Sequence, residues 1–80
     1  MAHTMLRLPA VLERRGKKRS SHYNDIKRGL FTRPVSIGPR QRAWPEGEVE
    51  TLNAVCIAGK TDDEIRVVVS RLEAARKASV

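Results

Sequence analysis

Residues 14–31 read RRGKKRSSHYNDIKRGLF, seven lysines and arginines in eighteen positions, with Tyr23, Ile26, Leu30 and Phe31 set among them. Cations at that density bind phosphate oxygens and release counterions in doing so. The interleaved apolar residues point to a folded element that presents this charge, since a solvated tail would need no anchor. Other reactive side chains are sparse. His3 and His22 stand apart from any patterned carboxylate or thiol, and no glycine-rich phosphate loop, nucleophile elbow or HExxH motif is present. Cys56 lies in the apolar run AVCIA and is expected to be a buried small side chain, neither a reactive thiol nor a metal ligand. No catalytic residue, metal ligand or cofactor is assigned, and the chain is not expected to be an enzyme.

The charge is divided unevenly. Residues 1–45 hold eleven Lys/Arg against two acids, Glu13 and Asp25, whereas residues 46–80 hold five against seven. A surplus of that size in one half favours a polyanionic partner for it and a structural or protein-contacting role for the other half. The single cysteine excludes an intramolecular disulfide and suits a reducing cytoplasm. No apolar run approaches the roughly 20 residues that span a bilayer, and no signal peptide or membrane partner is expected.

The apolar spacing defines the elements that must position the charge. Leu6 and Leu8 alternate ahead of Pro9, and a helix from about Pro9 to Arg15, buried on Val11 and Leu12, is stopped by Gly16. A second helix runs over Arg19–Lys27, capped by Ser20 or Ser21 and closed by Gly29, with His22, Ile26 and Leu30 on one face. Joined through Arg15-Gly16-Lys17-Lys18, the pair has the proportions of a helix-turn-helix. Pro34, Gly38, Pro39 and Pro45 then exclude a long helix. Val35–Ile37 and Gln41–Trp44 read as strands about a Gly38-Pro39 turn, a hairpin that would serve as the wing, with Trp44 pinning it to the helices. Glu46, Glu48 and Glu50 open a third helix bearing Val49, Leu52, Val55 and Cys56 on one side and ending at Gly59. Thr61-Asp62-Asp63-Glu64 is a capping-box sequence, and Ile65, Val68, Val69, Leu72 and Ala75 form a stripe on a last helix from about Asp62 to Lys77.

The predicted fold class is mainly α with a small β-hairpin: a winged helix-turn-helix with one or two additional C-terminal helices. Residues 1–4 read as a tail, native or added in cloning, that does not carry the fold. Residues 5–80 read as one domain, with the basic helix-turn-helix and wing in 5–45 and the C-terminal helices in 46–80.

In such a domain the second helix enters the major groove with its N-terminal residues at base edges. Arg19 is suited to guanine through its bidentate fork, and Ser20 or Ser21 to a base or a phosphate. Lys17 and Lys18 in the turn, and Tyr23, Lys27 and Arg28 along the helix, are expected on the phosphate backbone, with Asn24 on the same outer surface. For Tyr23, core packing competes with that role. Arg33, Arg40 and Arg42 lie at the edges and tip of the hairpin, where Arg40 or Arg42 would touch phosphates or enter the minor groove.

The run LRLPAV, then Arg19-Ser20-x-x-Tyr23-x-x-Ile26, Gly29-x-Phe31, Pro34-Val35-x-Ile37-Gly38-x-Arg40, Trp44 and Glu48-Val49 resembles the AlpA family of prophage transcriptional regulators over about residues 5–55. The resemblance implies a winged helix-turn-helix related to the MerR and excisionase group. It also implies a DNA-binding regulator of prophage or mobile-element genes, or an excisionase-like recombination directionality factor, working in the bacterial cytoplasm at the nucleoid. It puts the recognition helix on Arg19–Lys27 and the wing on Val35–Trp44. Three positions depart from the family pattern. Lys18 stands where the family usually has a capping Ser, so the cap shifts to Ser20 or is lost. His22 replaces an inward Ile and is read as a half-buried packing residue ahead of a base reader. Thr32 replaces a frequent Pro before the wing. The helix beyond Gly59 lies outside the shared pattern. By default it closes the core, and the alternatives are pairing with a second copy as a homodimer or cooperative self-association on DNA. Double-stranded DNA is the expected partner. A protein-interaction adaptor is the competing class, and RNA binding is disfavoured because no paired surface aromatics are available for stacking.

Overall fold

A two-residue strand, β1 (Met5–Leu6), leads directly into α1 (Leu8–Arg15) in the computed structural model, which describes residues 4–78. Pro9 sits in the first turn of α1, where no amide donor is required. Gly16 ends the helix at φ 64°, its N–H donating to the Glu13 carbonyl while Lys17 N–H donates to Leu12, the paired bonds of a Schellman turn. The second helix, α2 (Arg19–Lys27), closes in the same way. Gly29 at φ 77° donates to Ile26, and Leu30 donates to Asp25. Gly59 repeats the arrangement after α3 (Glu46–Ile57), and α4 (Asp62–Ala78) follows.

The start of α2 differs from the expectation. Lys18 is its N-cap, in extended conformation with no side-chain cap, and Ser20 and Ser21 lie inside the helix. A cap must precede the first turn, and the residue at that point has no short acceptor with which to reach the free amides. Of the two outcomes implied for Lys18, loss of the cap is the one observed.

The hairpin strands β2 (Val35–Gly38) and β3 (Gln41–Pro45) pair antiparallel, with Val35 opposite Ala43 and an irregularity between Ser36 and Gly38. A third strand was not anticipated. Met5 and Leu6 pair with Pro45 and Trp44, giving the sheet order β1-β3-β2, and Glu46 N–H donates to the Thr4 carbonyl. The fold is a winged helix-turn-helix whose central strand, β3, carries Trp44.

Leu6, Val11, Phe31, Trp44, Val49, Leu52, Ile65 and Val69 form the core, so every helix except α2 contributes a buried aliphatic residue. Trp44 is 1% exposed and donates its indole N–H to the Thr32 carbonyl at 2.9 Å, which pins the wing as expected. Cys56 is exposed, against expectation. It shares the azimuth of Val49, but it lies beyond Asn53, whose side chain donates to the Arg14 carbonyl at the end of α1. The following turn of α3 has outrun the element that covered its inner face.

Thr61 and Glu64 cap α4 reciprocally: Glu64 N–H donates to Thr61 Oγ1 and Thr61 N–H to Glu64 Oε1. Ile65 and Val69 enter the core, with Val68 and Leu72 packed against it, so the stripe closes the core of its own chain. Near its C-terminal end, Arg76 grips the buried Glu48 carboxylate through Nε at 2.8 Å and a second guanidinium nitrogen at 2.6 Å, and also donates to the Arg33 carbonyl. Glu73 accepts the Arg33 N–H at 2.8 Å. At the other end Arg66 donates to the Arg28 carbonyl and Asp62 pairs with the Arg28 side chain. Thus α4 braces both the exit from α2 and the entry to the wing. Arg76→Ala leaves Glu48 buried without its counter-ion and is expected to lower unfolding free energy by about 2–4 kcal/mol in urea denaturation. Arg71→Ala, on the same helix and without an ion pair among the described residues, is expected to change it by under about 0.5 kcal/mol.

Candidate nucleic-acid interface

Helix α2 packs inward through His22, Asp25 and the partly buried Ile26, at spacings of three and four that place them on one face. Two of these three are polar, and one side chain from α1 bonds to both, although the buried His22 Nε2 has no partner among the described residues. Arg15 donates to His22 Nδ1 at 2.7 Å and to Asp25 Oδ2 at 2.8 Å, while its guanidinium carbon lies 4.1 Å from the centre of the Phe31 ring. Lys17, from the turn, donates to the same carboxylate oxygen. The imidazole is fully buried, edge-on to Phe31 and Trp44 at centroid distances of 5.0 and 4.9 Å. Since Arg15 can only donate, Nδ1 must accept, and the ring is neutral with its proton on Nε2, facing into the aromatic surround.

The environment enforces that state. Burial, followed by the Arg15 charge, lowers the His22 pKa from 6.5 to about 4, with Asp25 opposing and Lys17 adding to the fall. For Asp25, burial pushes the pKa up, but hydrogen bonds and charge from Lys17 and Arg15 outweigh it and hold the carboxyl below its usual value.

The outer surface of α2 consists of Arg19, Ser20, Ser21, Tyr23, Asn24, Lys27 and, just past its end, Arg28, all exposed. Tyr23 sits at the boundary, 42% exposed, with its ring against the edge of His22 at 5.4 Å and under the Arg19 guanidinium at 5.9 Å. The wing presents Arg40 and Arg42 at its tip and Arg33 at its base, all exposed. Arg40 holds φ 60°, the one non-glycine residue with positive φ among the described residues. It follows Pro39 in the two-residue loop between Gly38 and Gln41, at a position of the kind glycine or asparagine normally fills.

The residues assigned to DNA from the sequence thus fall into two groups. Among the described residues, Lys18, Arg19, Lys27, Arg33, Arg40 and Arg42 carry no side-chain ion pair, and Ser20, Ser21 and Asn24 no side-chain hydrogen bond. Lys17 and Arg28 are engaged, Lys17 with Asp25 and Arg28 with Asp62. Sequence reasoning missed Arg15 and Asp25. The signal was available, because Asp25 is one of two acids in the basic half and falls on the inward spacing of α2. His22 is more deeply buried than expected and cannot reach a base.

Among the described residues no three His, Cys, Asp or Glu side chains gather as a metal site, and no helix is long and apolar enough to cross a membrane. Residues 4–53, running from β1 through α1, α2 and the wing into α3, match the family described as prophage CP4-57 regulatory protein (AlpA). The chain belongs to the AlpA family. Like the resemblance noted from the sequence, the AlpA match stops short of α4. The chain is also 40% identical over 55 residues to uncharacterized protein ORF88 of Enterobacteria phage P4, an alignment covering 69% of this chain and 62% of that relative. The chain therefore spans less than two thirds of the length of ORF88. No solved structure matches it.

A buried neutral histidine makes this AlpA-family fold acid-sensitive. The folded-state pKa lies below that of the unfolded chain, so the unfolded chain takes the proton first. Stability is complete above about pH 6.5, falls as pH drops towards about 4 and has no further His22 dependence below that. The loss over this window is about 3 kcal/mol, and Asp25 adds to it at lower pH, as the unfolded carboxylate protonates before the folded one. In thermal melts across pH 7 to 4, His22→Ile is expected to lose the slope between 6.5 and 4 while retaining the carboxylate-dependent fall below it.

Proposed function

We propose that this AlpA-family protein is a DNA-binding transcriptional regulator of prophage or mobile-element genes. Helix α2 lies in the major groove, and the wing lies on the backbone or in the adjacent minor groove. The observation that carries this reading is where the unpaired cations fall. Among the described cations without an acidic partner, Lys18, Arg19 and Lys27 lie on or beside α2 and Arg33, Arg40 and Arg42 on the wing, two elements held to one core by Arg15 and Trp44, whereas Arg7, Arg71 and Lys77 lie elsewhere. Arg14, Arg15, Lys17, Arg28, Lys60, Arg66 and Arg76 are neutralised by carboxylates. Lys17 and Arg28 accordingly position the ends of α2, and the free cations of α2 and the wing contact phosphates. Arg19, Ser20, Ser21, Tyr23, Asn24 and Lys27 form the groove-facing surface. Such a protein acts where DNA is, in the host cytoplasm.

Arg40 supports the same reading. An L-residue held at positive φ costs about 1–2 kcal/mol, and glycine at that position would relieve it. A strained position occupied by an exposed, unpaired arginine at a hairpin tip is the pattern of a residue kept for contact.

Binding at physiological salt to a duplex from the element's own promoter or attachment region should exceed binding to random DNA. With about six phosphate contacts, the logarithm of the binding constant should fall with the logarithm of salt concentration at a slope of about −5. Equal affinity for both duplexes, or capture of a protein partner that survives nuclease with no duplex shift, would overturn the reading. Arg40→Gly is expected to weaken duplex binding while leaving the melting temperature unchanged or higher, which separates lost contact from lost fold.

A further inference from the structure

The outward face of α2 has a shape that its charge alone does not explain. Along the helix the short side chains of Ser20, Ser21 and Asn24 lie between the long cations Lys18 and Arg19 at its start and Lys27 in its last turn. Asn24 stands two residues from both His22 and Ile26, about 200° around the helix from each and therefore opposite the buried face. Serine and asparagine are poor residues for a helix interior. Here they are exposed, none acts as the cap, and among the described residues their side chains bond to nothing. Any alanine, glutamate or lysine would make a better surface helix at these positions, so local propensity is set aside over one patch. Short side chains at the centre let the helix axis approach a surface closely. The long cations before and after them then reach phosphates on either side. That profile complements a major groove, which has base edges on its floor and phosphates along its walls.

We infer that Asn24 is the base-reading residue of α2 and that the base it reads is adenine. Its amide carries one acceptor and two donors, the set that pairs bidentately with adenine N6 and N7. Ser20, one turn earlier on the same face, keeps the approach open and adds a single adaptable bond. Arg19 lies on the flank over Tyr23, where its charge is directed at a phosphate wall. The inference rests on the proposal that α2 faces DNA, and it assigns within that proposal which side chain discriminates.

The test uses the full chain and duplexes selected from a random pool, with each adenine of the selected site replaced in turn by 7-deazaadenine, which lacks the N7 acceptor. One adenine should emerge at which replacement lowers affinity roughly 5- to 150-fold. Asn24→Ala should bind natural and 7-deaza duplexes alike at that position, with a melting temperature no lower than that of the original protein, so that misfolding cannot account for the loss. If Asn24→Ala keeps the full preference at every adenine, or if Arg19→Ala alone abolishes selectivity at a guanine, the assignment is wrong although α2 still reads DNA. If no duplex is selected from the pool, the DNA-binding proposal itself fails and this assignment with it.

Discussion

The guanidinium of Arg15 is the point on which the helix-turn-helix depends. One side chain, only 5% exposed, donates to the imidazole of His22 and the carboxylate of Asp25, and its flat face covers Phe31. Each partner is unfavourable to bury alone: a charged carboxylate, a ring nitrogen and a cation all lose hydration inside a protein. Together they bond to one another, leaving only His22 Nε2 unpartnered within the cluster, and in doing so they tie α2 to α1. No aliphatic residue of α2 reaches full burial, which leaves the polar cluster to orient that helix in a way that packing orients the others. The arrangement also explains why a chain so rich in positive charge keeps an aspartate in its most basic segment.

The remaining scaffold extends this constraint outward. Trp44 connects β3 to the loop after α2 through the Thr32 carbonyl, and both Phe31 and Trp44 pack against His22. On the opposite side, α4 secures backbone atoms of Arg28 with one end and of Arg33 with the other. The segment linking α2 to the wing is therefore fastened at both limits, and its interior residues Phe31 and Thr32 are buried. The AlpA-family match ends before α4, yet α4 supplies Ile65 and Val69 to the core. In this chain the helix outside the family pattern is part of the structural unit.

Much of this was legible in the residues, and what was not has identifiable reasons. The bounds of α2, the hairpin and α4 follow from glycines at helix ends, prolines that exclude helix and a capping box followed by a stripe. These signals are local, and the structure keeps them. The misplaced features depend on what lies across space. Two residues at Met5 and Leu6 carry no strand periodicity and become a strand only because β3 offers an open edge. Cys56 sits on the correct face of its helix and is exposed because the neighbouring helix is shorter. Ser20 and Ser21 have the chemistry of caps without the position. The ion cluster around Arg15 joins residues seven and ten apart, beyond any helical spacing rule, although the lone inward aspartate marked its location. The roles of the exposed cations could be grouped by composition, but which of them remain unpaired needed coordinates.

Fastening the segment between α2 and the wing has a mechanical corollary. The helix and the hairpin are two jaws of a caliper whose gap is set by the bonds from α4 to Arg28 and Arg33. If α2 and the wing face a duplex as proposed, the duplex must supply the compliance itself, narrowing or bending to the width of the protein. Base steps that flex easily would then be favoured even where no side chain reaches them, and stiff tracts disfavoured. The discrimination exerted by such a body would be partly elastic, with α4 setting the spring.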